Sequence, residues 1–358
     1  MKPRIFLLTH YQACRPGIFS FLVSRCSSPS QSQSAEAAAS RLYNGFKSTS
    51  FKLSARAAEE AVRMAVGYEF LTEAGFWTAK GRVIAAFAMR PEDAKPPDFL
   101  TLRQSEILAH LKYYVQAQGH LFLQLGLFIL ERGNVTEDTL KKEPLLEKWL
   151  RNAYEWSLAK TPDLRGRVGL RERIKALSTG RERYTPDVRW HKLSPIVWPL
   201  VDFGMLHTEI ETTGKRCRYF SVASTAHRKP LHLLLQHLSS FEDIEAADKE
   251  GTLLKKISEA YGIQLSEPTE NQTSSLLAKT YKTIRMLPTG MAALSAMYDI
   301  CAIEGIVEMR AWVSASKAID RLQSWQSTFP GEVRFHYDRA GQKGAVIISD
   351  EIIKRIAG

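Results

Sequence analysis

Three scarcities narrow the reading of this chain before any motif is considered. Its 358 residues include only four cysteines, Cys14, Cys26, Cys217 and Cys301, scattered without the paired spacing of a disulfide framework or a four-cysteine zinc site. Such a set suits a reducing compartment. Long apolar runs are also missing. The longest, Leu121 to Leu130, is interrupted by Gln124 and falls far short of the ~20 residues that span a bilayer, so it reads as a buried helix and no membrane partner is expected. Acidic residues are the third shortage: 38 Asp and Glu face 49 Lys and Arg, a formal net charge of +11. An excess of that size favours polyanionic partners through long-range attraction and counterion release.

Catalytic signatures are absent as well. The chain has no phosphate-cradling glycine loop, no HExxH and no serine elbow. Its histidines are isolated. His232 and His237 are five apart, a spacing that shares a helical face less well than four would, and with His227 they read as polar neighbours of a leucine-rich helix rather than metal ligands. Asp338 and Lys343 fall within one glycine-containing turn, where no second acid completes a magnesium site. Cys217, between Arg216 and Arg218, reads as a small hairpin residue in preference to an activated thiol. No catalytic residue, metal or cofactor is therefore expected.

The apolar fraction of 44% and charged fraction of 24% belong to a globular protein, long enough for two or three domains with cores of their own. Residues 194–222 are the most informative stretch. Ser194 and Pro195 suit the cap and first position of a helix running to Phe203, and Gly204 permits the left-handed turn that ends it. Met205 to Thr208 and Arg218 to Ser221 read as strands around a basic tip, Thr212-Thr213-Gly214-Lys215-Arg216. The same order recurs twice. Ser54 opens a helix to Val66, Gly67 stops it, Phe70 to Thr72 and Phe76 to Thr78 flank Glu73-Ala74-Gly75, and Thr78 caps a further helix. Ser314 or Ser316 opens a helix with Ala318, Ile319, Leu322, Trp325 and Phe329 at helical spacing and Lys317, Arg321 and Ser324 opposite. Strands at Val333 to Tyr337 and Ala345 to Ile348 then surround a turn holding Arg339 and Lys343.

This order of helix, glycine and hairpin at 54–82, 194–222 and 314–348 resembles the winged helix-turn-helix superfamily, in up to three copies. The resemblance implies a fold that is mainly α with small β-hairpins, tandem winged-helix modules being joined by helical segments. It also implies a recognition helix in the major groove with a wing along phosphates, or the same surfaces turned to protein, a choice that fold alone does not make.

Between the modules, Pro91, Pro96 and Pro97 mark a linker, an amphipathic helix follows from Thr101 and an apolar one from His120 to Gly133, and Asn134 to Asp138 reads as a helix start with acids in its first turn. Arg165, Arg167, Arg171 and Arg173 lie in the densest basic stretch, 165–183. It reads either as a phosphate-contacting strip or as a solvated helix face with internal ion pairs. Gln264 to Ser275 reads as a polar linker, and Asn271-Gln272-Thr273 matches a glycosylation acceptor without other signs of secretion. The expected divisions are 1–90, a winged module; 98–228, a helical segment plus the central module; 229–275, a connector; and 276–358, the last module.

The expected function is non-enzymatic binding of double-stranded DNA in the cytoplasm, in association with the nucleoid. Its contacts come from Arg165, Arg167, Arg171, Arg173, Lys215, Arg216, Arg218, Lys317, Arg321, Arg339 and Lys343. The C-terminal helix is the best base reader by chemistry. The central helix is a poor one, since Ile196, Val197, Trp198, Leu200 and Val201 leave little polar surface. One alternative is a winged-helix adaptor binding protein partners in a DNA-processing or prokaryotic defence complex, marked by exposed apolar surface around Trp198. Another is a mitochondrial protein whose Ser-, Arg- and Lys-rich residues 1–52 are a cleaved leader. Against that leader, Ile5 to Leu8, Phe19 to Val23 and Ala35 to Phe46 read as opening helices of the first module.

Overall fold

The computed structural model describes residues 11–27, 34–47, 49, 51–118, 120–211, 217–221, 225–338 and 341–357. The chain is mainly helical with two small antiparallel three-stranded sheets. It divides into two compact units, a first of Met1–Ile18 with Tyr113–Lys249 and a second of Phe19–Lys112 with Glu250–Gly358. Each unit thus joins two separate stretches of sequence, and the divisions fall inside helices α1 (Pro16–Phe21) and α5 (Gln104–Gln118).

The earlier stretch of the second unit continues from α1 through a π-helical turn at Leu22–Cys26 to α2 (Ala35–Phe46), α3 (Ala55–Gly67) and α4 (Ala79–Ala88). Ser34, Ser54 and Thr78 cap these helices by accepting from the amides of Ala37, Ala57 and Gly81, each at 3.1 Å. The hairpin expected between α3 and α4 contracts to a single bridge, Leu71 to Trp77, around Gly75 at φ +79°. No room remains for more, because α4 lies against the chain entering it: a Cβ on Gly81 would sit 2.0 Å from the carbonyl oxygen of Phe70. Aromatic rings fill this core, Phe19 meeting Tyr68 and Phe70 at 5.5 Å and Phe21 meeting Phe46 and Phe99 at 5.2 Å.

In the first unit, α6 (His120–Arg132) leads into strand β1 (Asn134–Thr136) and α7 (Glu137–Lys142). Thr136 both ends the strand and caps the helix, accepting from Thr139 N at 3.0 Å. Helices α8 (Leu145–Lys160) and α9 (Leu164–Ser178) follow, packed on each other, and then α10 (Pro186–Asp202). Strands β2 (His207–Glu211) and β3 (Cys217–Ser221) form a hairpin whose inner strand also pairs with β1, giving the order β1-β3-β2. Helices α11 (Thr225–His237) and α12 (Phe241–Lys249) complete the unit. Its core gathers Phe122, Leu125, Ile129, Leu193, Val197, Leu200 and Phe220.

Helix α10 begins two turns before the expected start. Thr185 caps it, accepting from Val188 N at 3.4 Å, and Pro186 occupies the first turn. Ser194 is a buried interior residue, while Pro195 and Pro199 lie within the helix. Thr185-Pro186 is the same cap-and-proline signal as Ser194-Pro195, and tertiary burial carries the helix through two prolines that local propensity would place at an end. Gly204, at φ +69°, ends the helix as expected.

The later stretch of the second unit holds α13 (Leu253–Ala260), α14 (Glu270–Ile284), strand β4 (Ala292–Ala293), α15 (Leu294–Met309), α16 (Ala315–Thr328), β5 (Val333–Tyr337), β6 (Lys343–Ile348) and α17 (Asp350–Ala357). Its sheet has the order β4-β6-β5. Tyr281 of α14 ties helix to sheet: its hydroxyl donates to Gly290 O at 2.6 Å and accepts from Ile348 N at 3.0 Å. The polar linker expected through Ser275 stops at Thr269, because Thr269 and Gln272 form a reciprocal capping box that starts α14 at Glu270. Asn271-Gln272-Thr273 therefore lies in a helix, with Thr273 buried.

Candidate nucleic-acid interface

In each unit a helix precedes a two-stranded hairpin, and the basic residues singled out in the sequence distribute over those elements and α9. Asp163 caps α9, its carboxylate accepting from Gly166 N at 3.0 Å. Leu177 is the buried residue of this helix, and Leu170 and Ile174 are half-buried. Arg165, Arg167, Arg171 and Lys175 are exposed, and none forms an ion pair among the described residues. The reading of this stretch as a helix neutralised by internal ion pairs therefore lacks its pairs. Arg173 behaves differently. Its guanidinium lies 5.6 Å from the Tyr154 ring on α8 and donates to the Tyr154 hydroxyl at 3.4 Å.

The exposed half of α10 is its N-terminal part, with Asp187, Val188 and His191 open to solvent. Arg189, one turn in, is fixed inward: Nη2 and Nε donate to Glu147 Oε1 at 2.7 and 2.9 Å, and Nη1 donates to the carbonyls of Lys141 and Lys142 at 3.2 and 3.1 Å. That clamp ties the start of α10 to α8 and to the end of α7. On the hairpin, Arg218 faces Ile210 across the ladder, and its guanidinium lies 4.9 Å from the Trp198 ring. Arg15 approaches the same ring at 6.0 Å, and Phe220 meets it edge-on at 6.0 Å. Trp198 is thus half-buried beside two guanidinium groups, while Ile210, across the ladder from Arg218, is exposed. Lys215 and Arg216 lie outside the described residues, as does the side chain of Cys217.

In the second unit, Lys317 and Arg321 do not project freely from α16 as expected. Lys317 Nζ donates to Pro268 O at 2.8 Å and lies 3.6 Å from Glu267. Arg321 Nε donates to Ser274 Oγ at 2.7 Å, and Nη1 pairs with Glu270 at 3.0 Å. Helical periodicity places them on the face away from Leu322 and Trp325, and the acidic start of α14 occupies that flank. A shallow cavity of about 250 Å³ lies there, lined by Glu270, Thr273, Lys317, Asp320, Arg321 and Ser324. The face left open carries Ser316, Asp320, Gln323, Ser324 and Ser327. Lys343 Nζ lies 4.4 Å from the Phe335 ring, and Arg339 falls outside the described residues. Arg334 and His336 were not among the expected contacts. They are exposed on β5, and the alternation of Val333 and Phe335 inward was the signal that places them outward.

The residue types of a nucleophile, base and acid meet in the second unit, where Ser20 Oγ lies 2.9 Å from His110 Nε2 and donates to Glu106 Oε1 at 3.2 Å. All three are buried. Arg90 pairs with Glu106 at 2.6 Å, and burial holds the His110 imidazole down to about 3, so it stays neutral. Buried throughout, the cluster reads as a polar network of the core, in which Arg90 Nη1 has no hydrogen-bond partner among the described residues. Burial pushes the thiols of Cys26 and Cys301 up to about 12, which keeps them unreactive. Asp338 anchors its own turn, accepting from Gln342 N at 2.9 Å. Among the described residues, no group of His, Cys, Asp and Glu is arranged to hold a metal ion, and no helix is long and apolar enough to cross a membrane. No protein-family model, curated protein or solved structure matches the chain.

Proposed function

We propose that the chain is a non-enzymatic, duplex-DNA-binding protein carrying a winged-helix motif in each of its two compact units. One observation carries this reading: both sheets have their third strand in the middle, flanked by the first and the second, with helices between the first strand and the hairpin. That order supports a winged-helix reading of α6-β1-α7-α10-β2-β3, with α8 and α9 inserted after α7, and of α14-β4-α15-α16-β5-β6. In this assignment α10 and α16 are the recognition helices and the two hairpins are wings. The net charge of +11 supplies the attraction for a polyanion.

The assignment changes which residues meet base edges. Starting at Pro186, α10 offers Asp187, Val188 and His191 rather than the apolar residues after Ser194. Helix α16 offers Ser316, Gln323 and Ser324, which donate or accept at base edges, with Asp320 as an acceptor. Arg15 and Arg218 beside the Trp198 ring favour the DNA reading over the adaptor alternative.

Duplex binding measured against salt, for the wild type and for K215A/R216A between β2 and β3, tests the proposal. Phosphate contacts from the wing predict a steep wild-type slope that becomes shallower by about one unit per cation removed. A wild type that does not bind duplex at low salt contradicts it.

A further inference from the structure

Helix α9 belongs to a pair, α8 and α9, inserted between the second helix of the first motif and its recognition helix. The pair is joined through α8, where Trp149, Leu150, Ala153, Tyr154 and Trp156 are buried. The outward side of α9 is unlike a helix face kept for stability. Arg167, Arg171 and Lys175 recur at every fourth position, which puts them on one face in a row with steps of about 6 Å. Like charges at that spacing destabilise a helix by a few tenths of a kcal/mol per pair. The single acid in α9, Glu172, makes no ion pair among the described residues. Gly166 and Gly169 weaken the helix further, and a Cβ on Gly169 would meet nothing within 4 Å, so close packing does not require that glycine. Leu164 and Val168 are 75% and 45% exposed on the same side as the cationic row.

We infer that the Arg167–Arg171–Lys175 face of α9 is a sequence-independent grip on the phosphate backbone of duplex DNA, separate from the wing and recognition helix of the same unit. The inference rests on the DNA-binding reading and deepens it. Charge complementarity selects the occupant: a row of cations without internal partners fits a row of anions, and guanidinium forks match phosphate oxygens. A membrane surface fits less well, because an interfacial helix presents an apolar face along its length, whereas the exposed apolar residues of α9 are confined to Leu164 and Val168. Arg173, turned onto Tyr154, is a positioning residue that holds α9 against α8.

The test uses the full chain in fluorescence-anisotropy titrations with two duplexes of different base composition, over a range of salt concentrations. R167A/R171A/K175A is compared with the wild type, with the charge-conserving R167K/R171K and with K215A/R216A; circular dichroism and thermal melting confirm the fold of each. The triple variant is expected to weaken binding roughly tenfold or more at low salt and to reduce the salt slope by about 3 units, equally on both duplexes. The lysine variant keeps the slope. A triple variant with the wild-type slope overturns the grip while leaving the DNA reading intact, provided that K215A/R216A lowers the slope. A wild type that ignores duplex but binds anionic phosphatidylserine vesicles through these residues overturns both in favour of a membrane surface.

Discussion

In the first unit the chain passes from α7 to α10 through the α8–α9 pair, whereas in the second α15 leads to α16 through residues 310–314 alone. The strand order around those helices is the same. What differs is the fate of positive charge. On α9, Arg167, Arg171 and Lys175 stand exposed without ion pairs among the described residues, while on α16 Arg321 is held by Glu270 at the start of α14 and Lys317 by Glu267 and Pro268 just before it. Exposed, uncommitted cations contribute counterion release on meeting a polyanion; cations already paired must first give up a partner. A shared connectivity therefore does not imply a shared binding strength.

The largest expected effect tests whether the two motifs are built alike. Leu200 of α10 and Leu322 of α16 are both fully buried. Leu200→Ala and Leu322→Ala should each cost about 2–5 kcal/mol, read as lowered urea midpoints. A negligible cost at one position breaks the parallel.

Acid separates the units next. In the second unit His110 is held from 6.5 down to about 3 by burial, beside the Ser20 hydroxyl that bonds Glu106 and against the Phe70 ring. Its folded-state value is depressed, so the unfolded chain takes up the proton first. Stability is then lost as pH falls from 6.5, at up to about 1.4 kcal/mol per pH unit. In the first unit Glu245, hydrogen-bonded by Lys160 and then Lys249, is held from 4.5 down to about 2, and its contribution fades only below 4.5. Hydrogen exchange at pH 7 and pH 5 should therefore show protection falling around His110 and not around Glu245. His110→Gln should remove most of that pH dependence.

The smallest effect sharpens the contrast in charge. Glu267→Gln with Glu270→Gln releases Lys317 and Arg321 from their acidic partners, and duplex affinity should rise roughly twofold to fivefold. Unchanged affinity would mean that α16 stays away from the phosphates even when its cations are free.

Much of the local structure is legible in the sequence because its signals are local. Ser54, Thr78 and Ser314 cap the helices expected of them, and Gly204 ends α10. Other features depend on distant partners. Strands β1 and β4 cover only Asn134–Thr136 and Ala292–Ala293, too short for alternation to register, and each becomes a strand by pairing with the inner strand of a hairpin. The prolines at 195 and 199 mark a helix end by propensity, but burial against α6 and α7 carries α10 past them. At the candidate interface, helical spacing separates Lys317, Arg321 and Ser324 of α16 from the buried Ala318, Leu322 and Trp325. It carries no information about Glu267, Glu270 and Ser274, which meet Lys317 and Arg321 from the start of α14 and the residues just before it.

If the chain binds duplex as proposed, its affinity should reside mainly in the first unit, through α9 and the β2–β3 hairpin. Salt-dependent duplex binding by R167A/R171A/K175A in the first unit and R334A/K343A in the second, measured side by side, tests it most directly. The account predicts that the first variant lowers the slope by about 3 units and the second by about 1 or less, since Lys343 is already turned onto Phe335. The reverse ranking, or equal slopes in both variants and the wild type, would contradict it.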